Sequence, residues 1–216
     1  MTPEPEATAA RYIVDITTMA NYFGRVTGIT RAEHEIARQF LISHPRATRF
    51  VYWCNEKSCF EDYTGTPDFI AVKAARQSRD YTVSHSGFGQ PEPSGLNRGG
   101  KAALIVTGSG WLQNRHYLLG CLGLARRNGL RLAVYLHDLI PVLFPYYYQP
   151  GYVAVFTENL RLLVQSGALI ACNSRNTRKD LLNWCEGEGF APPATCIACL
   201  GDSFTSATPD AADLPD

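Results

Sequence analysis

Leu130–Pro141 reads LRLAVYLHDLIP, an apolar run of strand length that stops at two adjacent functional side chains, His137 and Asp138. A second run, Ala168–Cys172 (ALIAC), stops in the same way at Asn173 and Ser174 and passes straight into a helical pattern. Short apolar runs bounded by polar residues read as buried strands of a parallel sheet, and strands that alternate with helices place those helices on both faces of it. The expected fold class is therefore α/β. Ligands of open α/β sheets gather beyond the carboxyl ends of the strands, so polar residues at those ends are site candidates.

The same reading extends outward along the chain. Tyr12–Thr18 (YIVDITT) is predicted as a short strand ending near Asp15, with a loop from Asn21 to Gly28. Ile29, Ala32, Ile36, Ala37, Phe40 and Leu41 then recur at helical spacing, and Thr30 with Glu33 fits a capping box at that helix start. Arg49–Trp53, Lys101–Thr107 and Thr195–Leu200 are further predicted strands. Tyr117–Arg127 is a predicted helix closed by Gly129. Val153, Phe156, Leu160, Leu163 and Val164 stripe another, and Ser174 is the expected N-cap of a third. Asn55–Gly100 is weakly patterned and rich in Gly, Pro and Ser toward its end, which predicts a long, partly mobile insertion. Residues 1–11 are expected to be a disordered tail, 12–201 one domain, and 202–216 a linker.

A length of 216 residues suits one large domain with a well-buried core. The formal net charge is zero, which removes the electrostatic case for a nucleic-acid partner. No run approaches the roughly 18 apolar residues of a membrane span, and MTPEPEATAA lacks the apolar core of a secretory leader. The seven cysteines form an odd set, several within apolar runs, which fits free thiols in a reducing cytoplasm.

Gly108-Ser109-Gly110 follows a predicted strand, but Gln113 stands where a dinucleotide fingerprint needs its third glycine, so an NAD-linked oxidoreductase is a weak reading. No nucleophile elbow is present either. The segment reads as a plain turn or a ligand loop, with Trp111 placed to offer a flat face to a sugar. Cys196 and Cys199 have C-x-x-C spacing without a second pair or a nearby histidine, Cys54 and Cys59 are no better supported, and no metal is expected. His34 reads as a surface residue. Asp138 either orients His137 by accepting its ring proton or acts on a substrate hydroxyl. Gly24 and Gly28 flank the entry to the first long helix, either to present amides to a phosphate or sugar hydroxyl or simply for their geometry. Tyr146, Tyr147 and Tyr148 form an aromatic run suited to packing on the next helix or to contact with an acceptor or membrane surface.

Four segments taken in order resemble the N-terminal half of retaining glycosyltransferases of the GT-B type, family 4. They are Thr27-Gly28-Ile29-Thr30-Arg31, Gly108-Ser109-Gly110-Trp111, His137-Asp138-Leu139-Ile140-Pro141 with Phe144-Pro145, and Cys172–Leu181 (CNSRNTRKDL). Leu200-Gly201-Asp202 is similar to the run into that family's interdomain linker. The resemblance implies a Rossmann-like acceptor-side domain facing a C-terminal donor-binding domain. It implies transfer of a sugar from a nucleotide-sugar to a glycan or lipid-linked acceptor, without a cofactor or metal. His137 matches the family's cleft histidine and Asp138 accompanies it. Gly24, Thr27, Gly28, Arg31, Gly108, Ser109, Gly110, Trp111, Asn173 and Ser174 are the expected substrate-binding residues. The expected location is the cytoplasm, as the free thiols suggest, with the tyrosine run open to contact at the inner face of the membrane. The other reading is a non-catalytic acceptor-binding module, or a subunit that needs a separate donor-domain partner.

Overall fold

The computed structural model describes residues 10–21, 28–63 and 102–200. Among them seven strands form one sheet: β1 Tyr12–Asp15, β2 Thr48–Cys54, β3 Cys59–Tyr63, β4 Ala103–Val106, β5 Arg131–Leu136, β6 Leu169–Cys172 and β7 Thr195–Ile197. Their order is β3-β2-β1-β4-β5-β6-β7, and every neighbouring pair is parallel except β2 with β3. The strand order reverses direction between β1 and β4, which makes that junction the topological switch point of a Rossmann-like α/β fold. The connecting helices are α1 Thr17–Asn21, α2 Gly28–Ser43, α3 Gly110–Gln113, α4 Arg115–Arg127, α5 Ile140–Leu143, α6 Pro150–Gln165 and α7 Arg175–Gly187.

Strand alternation divides the core. On β1 and β2, Ile13, Val51 and Trp53 point to one face, where Leu118, Leu160 and Leu181 from α4, α6 and α7 close a large apolar cluster. Val14, Phe50, Tyr52 and Cys54 point to the other, where Met19 of α1 and Ala37 of α2 close a smaller one. The period of two along a strand sets this division. Gly129, at φ +61°, ends α4 in the left-handed conformation that glycine adopts without penalty.

Several boundaries differ from the sequence reading. β1 stops at Asp15, because its Oδ1 accepts from the backbone amide and the hydroxyl of Thr17 and turns the chain into α1. β3 lies inside the segment read as unpatterned. CFEDY has no apolar alternation since it is an edge strand, held by charge: Asp62 pairs with Arg49, and Tyr52 donates to Glu61 Oε2 at 2.6 Å. Charged side chains are also what keeps such an edge from pairing with other chains. Gly110–Gln113 is helical, and β7 ends at Ile197. Arg11 is no tail residue, because its amide donates to Ala47 and its carbonyl accepts from Ala103. Residues 1–9, the rest of the predicted insertion (64–100), Lys101 of the predicted strand and the predicted linker lie outside the described residues.

Gly120 on α4 lies against the sheet, where an added Cβ would sit 2.2 Å from the Trp53 ring. Gly120→Ala gains helix propensity of about 1 kcal/mol but overpacks a buried indole, at about 1–3 kcal/mol. The variant is expected to melt below the parent in a thermal unfolding series. An unchanged or raised Tm would mean that Trp53 yields freely and that this approach does not constrain the fold.

Candidate functional site

Parallel strands deliver their carboxyl ends to a single edge. Asp15 ends β1, Thr107 through Gly110 follow β4, His137 and Asp138 follow β5, and Asn173 and Ser174 follow β6. The two strand-end pairs and the glycine loop of the sequence analysis thus come to one side of the sheet.

His137 is 9% exposed, its ring edge-on to Tyr135 with centroids 4.9 Å apart. Its Nε2 lies 3.0 Å from the Thr107 carbonyl oxygen. A carbonyl only accepts, so Nε2 carries the proton and the neutral ring presents Nδ1 as its lone pair. Burial lowers the imidazole's pKa below 6.5, against the Thr107 carbonyl and the Asp138 charge, which raise it. His137 is accordingly a neutral hydrogen-bonding group at pH 7. This corrects one expectation for Asp138: the ring proton goes to Thr107, and Asp138 Oδ1 accepts from the Ile140 amide at 3.0 Å, holding the start of α5.

Next to this pair, Ser174 caps α7 as expected, its Oγ accepting from the Thr177 amide at 3.0 Å. The Thr177 hydroxyl donates to Asn173 Oδ1 at 2.6 Å and lies 3.4 Å from the His137 carbonyl oxygen. The Asn173 amide donates to Leu136. The ends of β5 and β6 are therefore cross-linked by side chains, with Thr177 as the tie that sequence reasoning missed. Its signal was available: it stands three residues after an N-cap serine, where a hydroxyl meets the cap.

On the β1 side the edge is closed. Asp15 and Glu33 are both 0% exposed. Asp15 Oδ2 accepts from the Tyr117 hydroxyl, while Glu33 accepts from the amides of Thr18 and Met19. Glu33 thus caps α1, not its own helix as the capping-box reading held, since α2 already begins at Gly28. A Cβ on Gly108 would lie 1.9 Å from Thr18 Oγ1 and 2.3 Å from Glu33 Oε1, so this glycine is required by close packing. Thr18 Oγ1 also accepts from the Ser109 amide at 3.0 Å.

Trp111 is a correction. It is 0% exposed and packs on Phe156, so its ring offers no face to a sugar; Asn159 donates to its carbonyl at 2.8 Å and pins α3 to α6. The residue lies early in a four-residue helix that turns it under the sheet edge. Among the described residues, two buried side-chain atoms have no hydrogen-bond partner, Thr107 Oγ1 and Trp111 Nε1, and both belong to the segment after β4. Such atoms cost about 1–3 kcal/mol each. Gly28 opens α2 with open space beside it, and Arg31 is exposed one turn on. Gly24 and Thr27 lie outside the described residues. Tyr146 and Tyr147 are 72% and 73% exposed, while Tyr148 stacks on Tyr152, so the aromatic run divides between surface and helix packing.

Cys196 and Cys199 are free and exposed. Among the described residues no group of three or more His, Cys, Asp or Glu side chains could hold a metal ion, and no helix is long and apolar enough to cross a membrane. Comparison of the chain with family models, curated proteins and solved structures gives no match. The family resemblance rests on its motifs alone.

The buried carboxylates set a pH dependence. Burial pushes Asp15 from 3.8 up to about 6, against hydrogen bonds from Thr17 and Tyr117. Burial, then the Asp15 charge, pushes Glu33 well above its usual range. A raised carboxyl pKa means that the folded state holds the proton more tightly than the unfolded chain. Stability from Asp15 is therefore greatest below 3.8 and falls as pH rises to about 6. That gap corresponds to on the order of 3 kcal/mol. Asp15→Asn keeps an acceptor for Thr17 and removes the charge. It is expected to stabilise the protein at pH 7 and to leave it unchanged or weaker at pH 4, read by denaturant unfolding at both values. A variant destabilised equally at both would show that the charge is not what costs stability.

Proposed function

We propose that this chain forms the acceptor-side wall of a glycosyl-transfer cleft, as its resemblance to retaining GT-B enzymes implies. In this reading a donor-binding domain supplies the nucleotide contacts, and His137 meets the donor sugar. The observation that supports it most is the hydrogen bond from His137 Nε2 to the Thr107 carbonyl. It fixes a neutral imidazole with Nδ1 as an acceptor, the form suited to a sugar hydroxyl. Ser109, Gly110, Asp138, Asn173 and Ser174 are partly exposed along the same edge and offer further polar contacts.

The chemistry is displacement of a nucleoside diphosphate from the anomeric carbon through an oxocarbenium-like transition state. Charge develops on the departing diphosphate, and pre-positioned donors meet it. The neutral ring contributes orientation of the sugar instead of charge. Asp138 acts as a positioning residue, because its carboxylate shapes the turn that follows His137.

A non-catalytic acceptor-binding module is the second reading, and the small exposure of the His137 ring favours it. The two separate in the assembled enzyme, this chain together with its donor-binding domain. His137→Ala is expected to lower kcat by about 10²–10³-fold, with the Kd for nucleotide-sugar held within a few-fold. Unchanged turnover would leave only the binding module.

The chain by itself is expected to bind nucleotide-sugars weakly, with Kd in the roughly millimolar range, about −4 kcal/mol. Backbone amide shifts in an NMR titration with UDP-glucose or GDP-mannose should concentrate at 107–110, 137–138 and 173–174. The His137 ring nitrogens should report Nε2–H with a titration midpoint below 6.5. Micromolar binding would place the donor site on this chain, and shifts centred on the opposite sheet edge, near Arg126, Arg131 and Ser166, would sink the assignment.

A further inference from the structure

Cys54 and Cys59 look unrelated to any chemistry in the sequence, yet the sheet places them directly opposite each other. They are register partners, the last pair of the antiparallel β2–β3 hairpin before the turn at 55–58. Antiparallel partners hold their Cα atoms about 4.5–5.5 Å apart, and a disulfide requires about 4.4–6.8 Å. Directly opposed side chains leave the sheet on one face. The next pair on that face is Tyr52 with Glu61, joined at 2.6 Å, so the register cannot slip and carry the thiols apart. Both thiols are free, Cys54 buried and Cys59 half-buried. Lys57, in the turn between them, carries an ammonium close enough to be influenced by both sulfurs.

The position matters as much as the spacing. Cys54 closes a strand parallel to β1, so the hairpin tip lies on the same sheet edge as Thr107 and His137. Asn55 in the turn accepts from Asn114 Nδ2 at 3.0 Å, and Asn114 Oδ1 caps α4 directly after the loop that follows β4. Asn21 Nδ2 donates to the Trp53 carbonyl at 3.1 Å and ties the tip to α1. The tip is wired to the elements that carry the site.

We propose that Cys54 and Cys59 form a reversible intramolecular disulfide that closes the hairpin tip, made by exchange with a small disulfide of the glutathione class. This holds whatever ligand the neighbouring edge takes. Cys59, the more accessible sulfur, attacks one glutathione sulfur as its thiolate; the glutathione S–S bond breaks and one glutathione thiolate leaves. The Cys54 thiol then loses its proton and attacks Cys59 in the mixed disulfide, expelling the second glutathione. Two protein thiols are oxidised, one glutathione disulfide is reduced to two thiols, and the two protons end on those thiols. Burial, then the Glu61 charge, push the Cys59 thiol up, so the exchange is slow at neutral pH and quickens as pH rises.

The test uses the full chain with Cys196→Ser and Cys199→Ser, which removes the two exposed thiols, in glutathione buffers of graded ratio. Oxidation should remove two titratable thiols and two hydrogens of mass. Trypsin cuts after Lys57, between the cysteines, so the peptide ending at Lys57 and the one beginning at Ser58 should stay joined until reduced. The linked protein should melt roughly 4–8 °C higher, and Cys59→Ser should abolish linkage and shift together. A stable glutathione adduct on Cys59, a link between any other pair, no oxidation at the most oxidising ratio, or a linked protein that melts no higher would each overturn the proposal. The peptide map needs no hairpin variant, so a poorly folding Cys59→Ser would not rescue it.

Discussion

The Asp15 carboxylate is the point on which the switch region depends. It sits at the end of the short strand between the two wings of the sheet and accepts from three groups: the Thr17 amide, the Thr17 hydroxyl and the Tyr117 hydroxyl. The first two end β1 and start α1. The third anchors α4 across the sheet edge. The Thr17 hydroxyl in turn accepts from the Trp53 amide at 2.8 Å, which brings the end of β2 into the same network. With Glu33 capping α1 and Thr18 receiving the Ser109 amide, one cluster of side chains fixes the exits of β1, β2 and β4. An apolar residue at position 15 would leave a buried tyrosine hydroxyl and two threonine donors without partners, at about 1–3 kcal/mol for each.

That network has an electrostatic cost, and the cost is informative. Burial raises the pKa of both carboxyl groups, the Asp15 charge raises that of Glu33 further, and what opposes these shifts is hydrogen bonding. Hydrogen bonds from amides and hydroxyls stand in for cations. A structure organised only for stability would gain by neutral groups at these positions. What the carboxylates provide instead is geometry: the multiple acceptor sites of Asp15 hold a helix start and a neighbouring helix at once, and Glu33 holds the first turn of α1, whose Thr18 hydroxyl receives the glycine loop. Gly108 is the counterpart of that arrangement, since any side chain there would collide with Thr18 and Glu33.

The parts of the fold carried by apolar periodicity were legible in the sequence. Arg131–Leu136 is the strand predicted, α6 carries the expected stripe, and Ser174 is the N-cap of α7. What was not legible depends on contacts remote in sequence. Glu33 in capping-box spacing looks local, but its partners are on α1. Trp111 looks like a surface aromatic after a turn until α6 is brought over it. β3 has no strand pattern of its own and exists because β2 offers a free edge and Arg49 and Tyr52 offer partners. Of the candidate site, the strand-end pairs were readable because polarity after an apolar run is a local signal. Their mutual arrangement, His137 to the Thr107 carbonyl and Thr177 to the His137 carbonyl, required the register of three parallel strands.

These constraints together decide which part of the sheet edge stays open. The β1 end is filled by Asp15, Glu33 and Thr18, and the β2 end is covered by its own hairpin tip. The β4 end is different. Thr107 gives its carbonyl to His137 but leaves its hydroxyl without a partner, in a position too buried for that to be free of cost. Beside it Ser109, Gly110, Asp138, Asn173 and Ser174 retain exposure. The carboxylate cluster that closes one half of the edge packs directly against Gly108, and the accessible polar surface lies along β4, β5 and β6. The open polar surface of this sheet edge therefore spans those three strand ends, with His137 buried among them and the carboxylate cluster holding the Gly108 loop beside it.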